Sequence, residues 1–572
     1  MDQSSVLRLT LYGAVRCAGV GLLGGSLEAL LLGFQSTTPL TVVDLLICST
    51  VAVVAMAGLA FIGGVAAGLV SHTLLKRLVI SRGLALQFAL TVLAVVGFFF
   101  WSFSAEKWAE NSVGAAIFLG GLPLLLFPVS FLLATPFFRR VEAGDKAKIG
   151  FLPVAAGGAL LVIIGGVATS MGRYTGGNGA LDSDPRFVII AVDSLRGDLG
   201  GGATPNIDRL ASGGVIFTDA IAAGPDTAPA VASALTGLPR VLRNEGYATA
   251  GFISSDGLSG SLGFSNGFYV YDDDLGSPIP GLFQLRLVGG LAHALGSVPN
   301  TRQARVTTDH FVSWLDQHKA VPFMALVHMQ EPRAPLTPHD LPGFEANGTS
   351  VAPLVRHEGQ LNKSDWSADE QRALRRTYQE EVAAVDIQVG RILDALDARG
   401  LSENTVVVLM GTGGQRQSGT FSHHGLSENI VNVPLILRIP GQHEDTSVGP
   451  SVRLHDLFIT LLQHAEIEPR TKHEGISLLG YMEGRLQKSL WSPLTGHNAA
   501  GQPLIGARNN GIKYVRNLVT AEEHLYDLTD DPDERHDLTT DSPKTLQDAR
   551  RLVASDSVRL GKLTQVKPAP VQ

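Results

Sequence analysis

Apolar positions follow two different patterns along this chain. Before residue 172 they come in five long stretches, at about 9–34, 43–71, 84–103, 113–137 and 151–171. Each is long enough to cross a hydrocarbon core of about 30 Å as a helix, so the pattern predicts a five-helix transmembrane bundle over residues 1–172. Lys76, Arg77 and Arg82 lie between the second and third stretches, and Arg139, Arg140, Lys146 and Lys148 lie between the fourth and fifth. The positive-inside rule puts these loops in the cytoplasm. The expectation is a multi-pass protein of the cell membrane, with a cytoplasmic N-terminus, an extracytoplasmic C-terminal domain and the lipid bilayer as partner.

From Phe187 onward the pattern changes. Short β-branched runs (FVIIAV, YATAGFI, FMALVH, VVVLM, PLILR) alternate with polar segments of helical periodicity such as NIDRLASGG. That alternation predicts an α/β domain with a mostly parallel central sheet and helices on both faces. In such sheets ligands gather at the C-terminal ends of the strands. The Gly-rich polar stretch 173–186 reads as a flexible linker, residues 187–545 as the domain, and 546–572 as a C-terminal tail.

Composition narrows the function classes. The net charge of −8 gives no electrostatic footprint for nucleic acid. The two cysteines, Cys17 and Cys48, both sit in apolar stretches, which leaves the second half without a disulfide framework or a thiolate metal site.

Six blocks in a fixed order carry more information. They are FVIIAVDSLRGDL from Phe187, TPNIDRLASGGVIFTDAIAAGPDTAPAVASALTG from Thr204, PFMALVHMQEPRAPLTP from Pro322, YQEEVAAVDIQVGRILDAL from Tyr378, NVPLILRIPG from Asn432 and LYDLTDDPDERHDL from Leu525. Together they resemble the sulfatase family of the alkaline-phosphatase-like superfamily over about 187–545. The resemblance implies an alkaline-phosphatase-like α/β sandwich whose site holds one or two divalent cations (calcium, zinc or manganese). It implies that Asp193 binds metal and that Thr227 stands at the nucleophile position. Pro229 and the small residues after it suit a helix start, which would make Thr227 an N-cap beside unpaired backbone N–H groups. Arg196, His328 and Arg333 are the candidate substrate-binding residues.

The chain departs from that family where the chemistry is most demanding. The formylglycine signature needs Cys or Ser, then Pro and Arg at alternate positions; here they are Thr227, Pro229 and Val231. A threonine cannot become the aldehyde, which excludes aldehyde-hydrate chemistry. The strand ending in Asp-His-Gly-Glu in the family reads Thr412, Gly413, Gly414 and Gln415 here. Its Pro-His is Pro332-Arg333, and its second acidic residue after the first strand is Ser194. Hard divalent cations want about six to eight oxygen donors with carboxylates among them. A replacement metal ligand could come from His424, beside His423, joined by Asp198, Asp226 or His328 in a reduced zinc site.

These residues suit two functions. One is a catalytically degenerate sulfatase-like domain, metal-free, that binds an anionic glycan, a lipid headgroup or a protein partner. The other is an active metal-dependent hydrolase or phosphotransferase of sulfuric or phosphoric esters, with Thr227 as nucleophile.

Overall fold

The expected transmembrane bundle is not found among the residues the structure describes. Among the described residues, no helix is long and apolar enough to cross a membrane. Hydropathy measures only how apolar a stretch is, and a span also needs an unbroken helix of sufficient length. The five stretches fall almost wholly outside the described residues. Membrane anchoring, the bilayer as partner and the multi-pass localisation are therefore unsupported. The computed structural model describes residues 183–198, 204–275 except Thr236, 300–333, 366–414, 425–441, 446–469, 473 and 475–555 except Asn510, with scattered helical residues between 14 and 66. Two compact units divide the chain, 1–174 with 276–299 and 175–275 with 300–572. The second unit carries the six sequence blocks.

Its apolar runs build one sheet of nine strands: β1 (Arg186–Val192), β2 (Val215–Ile221), β3 (Ala248–Phe252), β4 (Val270–Asp272), β5 (Phe323–Met329), β6 (Thr405–Gly411), β7 (Asn432–Arg438), β8 (Thr446–Val448) and β9 (Val452–Arg453). The order across the sheet is β4-β3-β5-β1-β6-β7-β2-β8, with β9 also on β2. Every residue of β1, β5 and β6 is buried, the burial expected of central parallel strands covered on both faces. Only β7 breaks the parallel rule, running antiparallel to both β6 and β2.

The alternation along these strands sorts the core into two layers. Phe187, Ile189, Ala191, Val406, Val408 and Met410 pack with Ala230, Ala234 and Leu461 from helices α1 (Thr227–Leu235) and α2 (Leu457–His464). At the β3 edge, Phe252 packs edge-on against Phe311 and Trp314, which lie on the helix Ala304–His318.

The 30-residue helix Ala368–Asp397 opens on a capping box formed by Ser367 and Glu370. Midway along it, the buried Asp386 carboxylate accepts from the backbone N–H groups of Asn206 and Ile207 and from the Asn206 side chain, at 2.8–3.2 Å. It thereby caps the helix Pro205–Ser212 from outside, and the helix opens without a side-chain cap of its own.

A second sheet, antiparallel, is made of β10 (Ser492–His497), β11 (Pro503–Asn509), β12 (Ile512–Asn517) and β13 (Glu523–Asp527). The helix Pro543–Ser555, inside which the expected tail begins, packs Leu546, Ala549 and Val553 on Ala507, Tyr514 and Leu525. A buried charge cluster ties this sheet to the large one. Arg508 pairs with Asp219 and Glu428, and the fully buried Lys513 pairs with Glu428 and Glu534.

Candidate functional site

The register of the three central strands assembles the site. Ala191 lies opposite His328, and Val192 lies opposite both Met329 and Gly411. Asp193 and Thr412, each the first residue beyond its strand, therefore meet beside His328. Backbone bonds continue the ladder one step further, from Asp193 N–H to Met329 O at 2.9 Å and from Thr412 N–H to Val192 O at 3.0 Å.

Asp193 is 1% exposed. Its Oδ1 accepts from the Thr412 hydroxyl at 2.6 Å and from His328 Nε2 at 2.9 Å. The Ser254 backbone N–H donates to His328 Nδ1 at 3.3 Å. Nδ1 is thus the acceptor and the ring proton sits on Nε2, which assigns the tautomer. Asp193 Oδ2 has no hydrogen-bond partner among the described residues, and the cation beside it is Arg333, with Nη1 at 3.9 Å. Burial pushes the Asp193 carboxyl up, but His328, Arg333 and the Thr412 hydroxyl outweigh it and hold the group below the usual carboxylate range.

Thr227 is buried and opens helix α1. The expectation that it is the N-cap is corrected by one residue. The Asp226 carbonyl accepts from the Ala230 N–H at 3.3 Å, so Asp226 takes the cap position and Thr227 lies in the first turn. Arg333 Nη1 donates to Thr227 Oγ1 at 3.1 Å, and Thr412 Oγ1 lies 3.4 Å from the same oxygen. The loop presenting Arg333 is pinned twice. Its N–H donates to Gln330 O at 2.9 Å, and the neighbouring Glu331 carboxylate accepts from the Ala304 N–H at the start of the helix Ala304–His318.

The structure thus brings Asp193, Thr227, His328 and Arg333 together around Thr412. Arg196 forms a bidentate pair with Asp198 at 2.6–2.8 Å, and its backbone N–H donates to the Tyr378 hydroxyl. Arg240 is exposed. His423, His424 and Gln415 lie outside the described residues.

Behind His328 runs a polar chain that no motif announced. Ser254 Oγ contacts Thr307 Oγ1 at 2.7 Å, and Arg302 Nε donates to the same Thr307 oxygen. The Arg302 Nη1 then meets both oxygens of the buried Asp272 at 2.9–3.0 Å, and Asp272 also pairs with His310 at 2.6 Å. The local signal for two of them is their place at strand ends, Ser254 two residues past β3 and Asp272 the last residue of β4.

The donor set among the described residues does not fit a divalent ion. Asp193 contributes one uncommitted oxygen, and that oxygen faces a guanidinium. His328 presents a proton on Nε2, and its Nδ1 lone pair is taken by Ser254. Gly413 brings no ligand and has no room for one, since a Cβ there would stand 2.7 Å from the Pro225 carbonyl oxygen. Among the described residues, no three His, Cys, Asp or Glu side chains are placed to share an ion.

Comparison with known proteins agrees with the architecture. Residues 185–467 match the sulfatase family model. A sulfatase of Formosa agariphila is 25% identical over 435 residues, covering 61% of this chain and 82% of the relative. A Delta 4,5-hexuronate-2-O-sulfatase of Bacteroides thetaiotaomicron is 25% identical over 425 residues, covering 62% and 85%. A protein solved in complex with its substrate D-glucosamine-2-N,6-O-disulfate superposes with a TM-score of 0.52 at 18% identity, covering 68% of this chain and all of that one. The family match implies a metal-dependent sulfatase-type site in general and specifies no ion, and the residues around Asp193 depart from that rule. The described second half of the chain has the α/β sandwich fold of the sulfatase and alkaline-phosphatase superfamily.

Proposed function

We propose that residues 187–545 bind a sulfate or phosphate ester group of an anionic glycan and hold it without cleaving it. The observation that carries this reading is the placement of Arg333, whose Nη1 lies 3.1 Å from Thr227 Oγ1 at the opening of helix α1. A guanidinium beside a hydroxyl and the positive end of a helix is a recognition arrangement for tetrahedral oxyanions.

Turnover is disfavoured by the same geometry. A nucleophilic Thr227 needs a base whose pKa lies near the working pH. One nearby carboxylate is Asp193, reached through Thr412, and its anionic form is already stabilised by two donors and a cation. Arg333 also donates into the oxygen that would attack. Similarity to a hexuronate-2-O-sulfatase supports sulfated sugars as the ligand class.

The test uses the purified full chain, titrated calorimetrically with sulfated hexuronate-containing oligosaccharides at low salt and incubated with 4-nitrophenyl sulfate and 4-nitrophenyl phosphate. Saturable binding with no product above the buffer rate is expected. Product formation abolished by Thr227→Ala would establish the hydrolase instead.

A further inference from the structure

We propose that the Arg333 guanidinium is the built-in cation of this site, taking the place a divalent ion holds in sulfatase-type sites, so that anion binding here is independent of metal. The inference deepens the binding reading and rests on it for the ligand arm of its test alone.

Three observations converge. First, a carboxylate as deeply buried as Asp193 requires a cation or a full set of donors. Oδ1 has its donors, and the charge that faces Oδ2 is Arg333 at 3.9 Å. Second, the same Nη1 reaches Thr227 Oγ1 at 3.1 Å. One cation therefore bridges the buried acid and the hydroxyl at the helix opening, which is the geometric task of a metal in such a site. The guanidinium is permanently charged and carries five N–H donors in a rigid fork, which suits the planar edge of an oxyanion. Third, the described residues offer a divalent ion too few donors. The Pro225 carbonyl leaves no room for a ligand side chain at position 413, and Ser254 holds the His328 ring with its proton toward Asp193. The turn that leads into Arg333 is held by its N–H to Gln330 O and by the Glu331 carboxylate on the Ala304 N–H, which places the cation at the site without a ligand.

The experiment compares the full chain with Arg333→Gln and Arg333→Lys. Each is treated with EDTA and then titrated with calcium, manganese and zinc chlorides, and separately with inorganic sulfate. For the native chain, the expected result is no saturable uptake of any of the three ions up to about 1 mM and a sulfate affinity unchanged within about 2-fold by EDTA or added ion. Arg333→Gln is expected to lose at least about 10-fold in sulfate affinity, the low end for a charge-assisted bond, and added ions should not restore it. Arg333→Lys, which keeps the charge without the fork, should fall between the two. One equivalent of tightly held ion in the native chain, lost in Asp193→Asn, would overturn the proposal, and that arm does not depend on Arg333→Gln folding. Equal sulfate binding by native chain and Arg333→Gln would overturn it while leaving the binding reading standing. If sulfate binds to neither and the native chain still refuses all three ions, the binding reading falls and takes the claim of metal-independent anion binding with it, while Arg333 stands as the cation facing Asp193.

Discussion

Replacing Asp193 by Asn separates the two functions by the sign of its effect. In a metal-dependent site the substitution removes the ion's main anchor and anion affinity collapses. In a site whose cation is Arg333, Asp193 is a negative charge lying close to the bound anion, and neutralising it should tighten binding. The shape is retained, because the oxygen of the introduced amide can still accept from His328 Nε2 and the Thr412 hydroxyl, which lie 2.9 and 2.6 Å from the native Oδ1. Asp193 Oδ2 lies 3.9 Å from Arg333 Nη1. An ester group on the far side of that guanidinium is about 7 Å from the carboxylate, and the repulsion removed is then roughly 0.6–2.4 kcal/mol between a water-like and an interior effective dielectric. That corresponds to a roughly 3- to 60-fold gain in affinity. The assay is calorimetric titration of the full chain and Asp193→Asn with inorganic sulfate in EDTA at low salt, with a thermal melt to show that both are folded. A folded Asp193→Asn that binds sulfate more weakly than the native chain would refute the electrostatic reasoning.

Three further outcomes are expected. Asp386→Ala should destabilise the domain by about 2–4 kcal/mol, because two backbone donors of the helix Pro205–Ser212 lose their acceptor; urea unfolding measures this, and sulfate affinity should not change. Gly413→Ala should cost about 1–3 kcal/mol by overpacking against a backbone oxygen that cannot swing away, read by the same unfolding curve. Stability should also fall in acid. Burial raises the carboxyls of Asp272 and Glu428, but Arg302 and His310 at the first, and Lys513 and Arg508 at the second, hold both below their ordinary range. A depressed folded-state pKa contributes stability above the unfolded value, roughly 4, and loses it as pH falls through the folded one. Thermal melts between about pH 7 and 2 should therefore show midpoints that decline below about pH 4, and a flat profile there would contradict these pairings.

Much of this molecule could be read from local pattern. Continuous apolar runs bounded by polar turns encode strands buried on both faces, so β1, β5 and β6 were legible, and Asp193 was recognisable as a strand-end residue. The departure at Thr412 and Gly413 was legible only against the resembled family, which has Asp and His just past this strand end, where ligands in such sheets gather. The antiparallel sense of β7 was not legible, because periodicity reports burial and carries no direction. Nor could hydropathy alone decide the membrane expectation, which no helix among the described residues supports.

What tertiary structure alone decided is how these residues answer one another. Arg333 meets Thr227 across 106 positions, Ser254 sets the His328 tautomer across 74, and Asp386 caps a helix 180 positions away. No local window contains both members of any of these pairs. Arg333 therefore read in the sequence as a substituted histidine and a candidate substrate-binding residue, with no sign of its partners. Its standing as a counter-charge to Asp193 follows from the strand register that lays β5 against β1, because the interaction of two charges depends on their separation and surroundings in space.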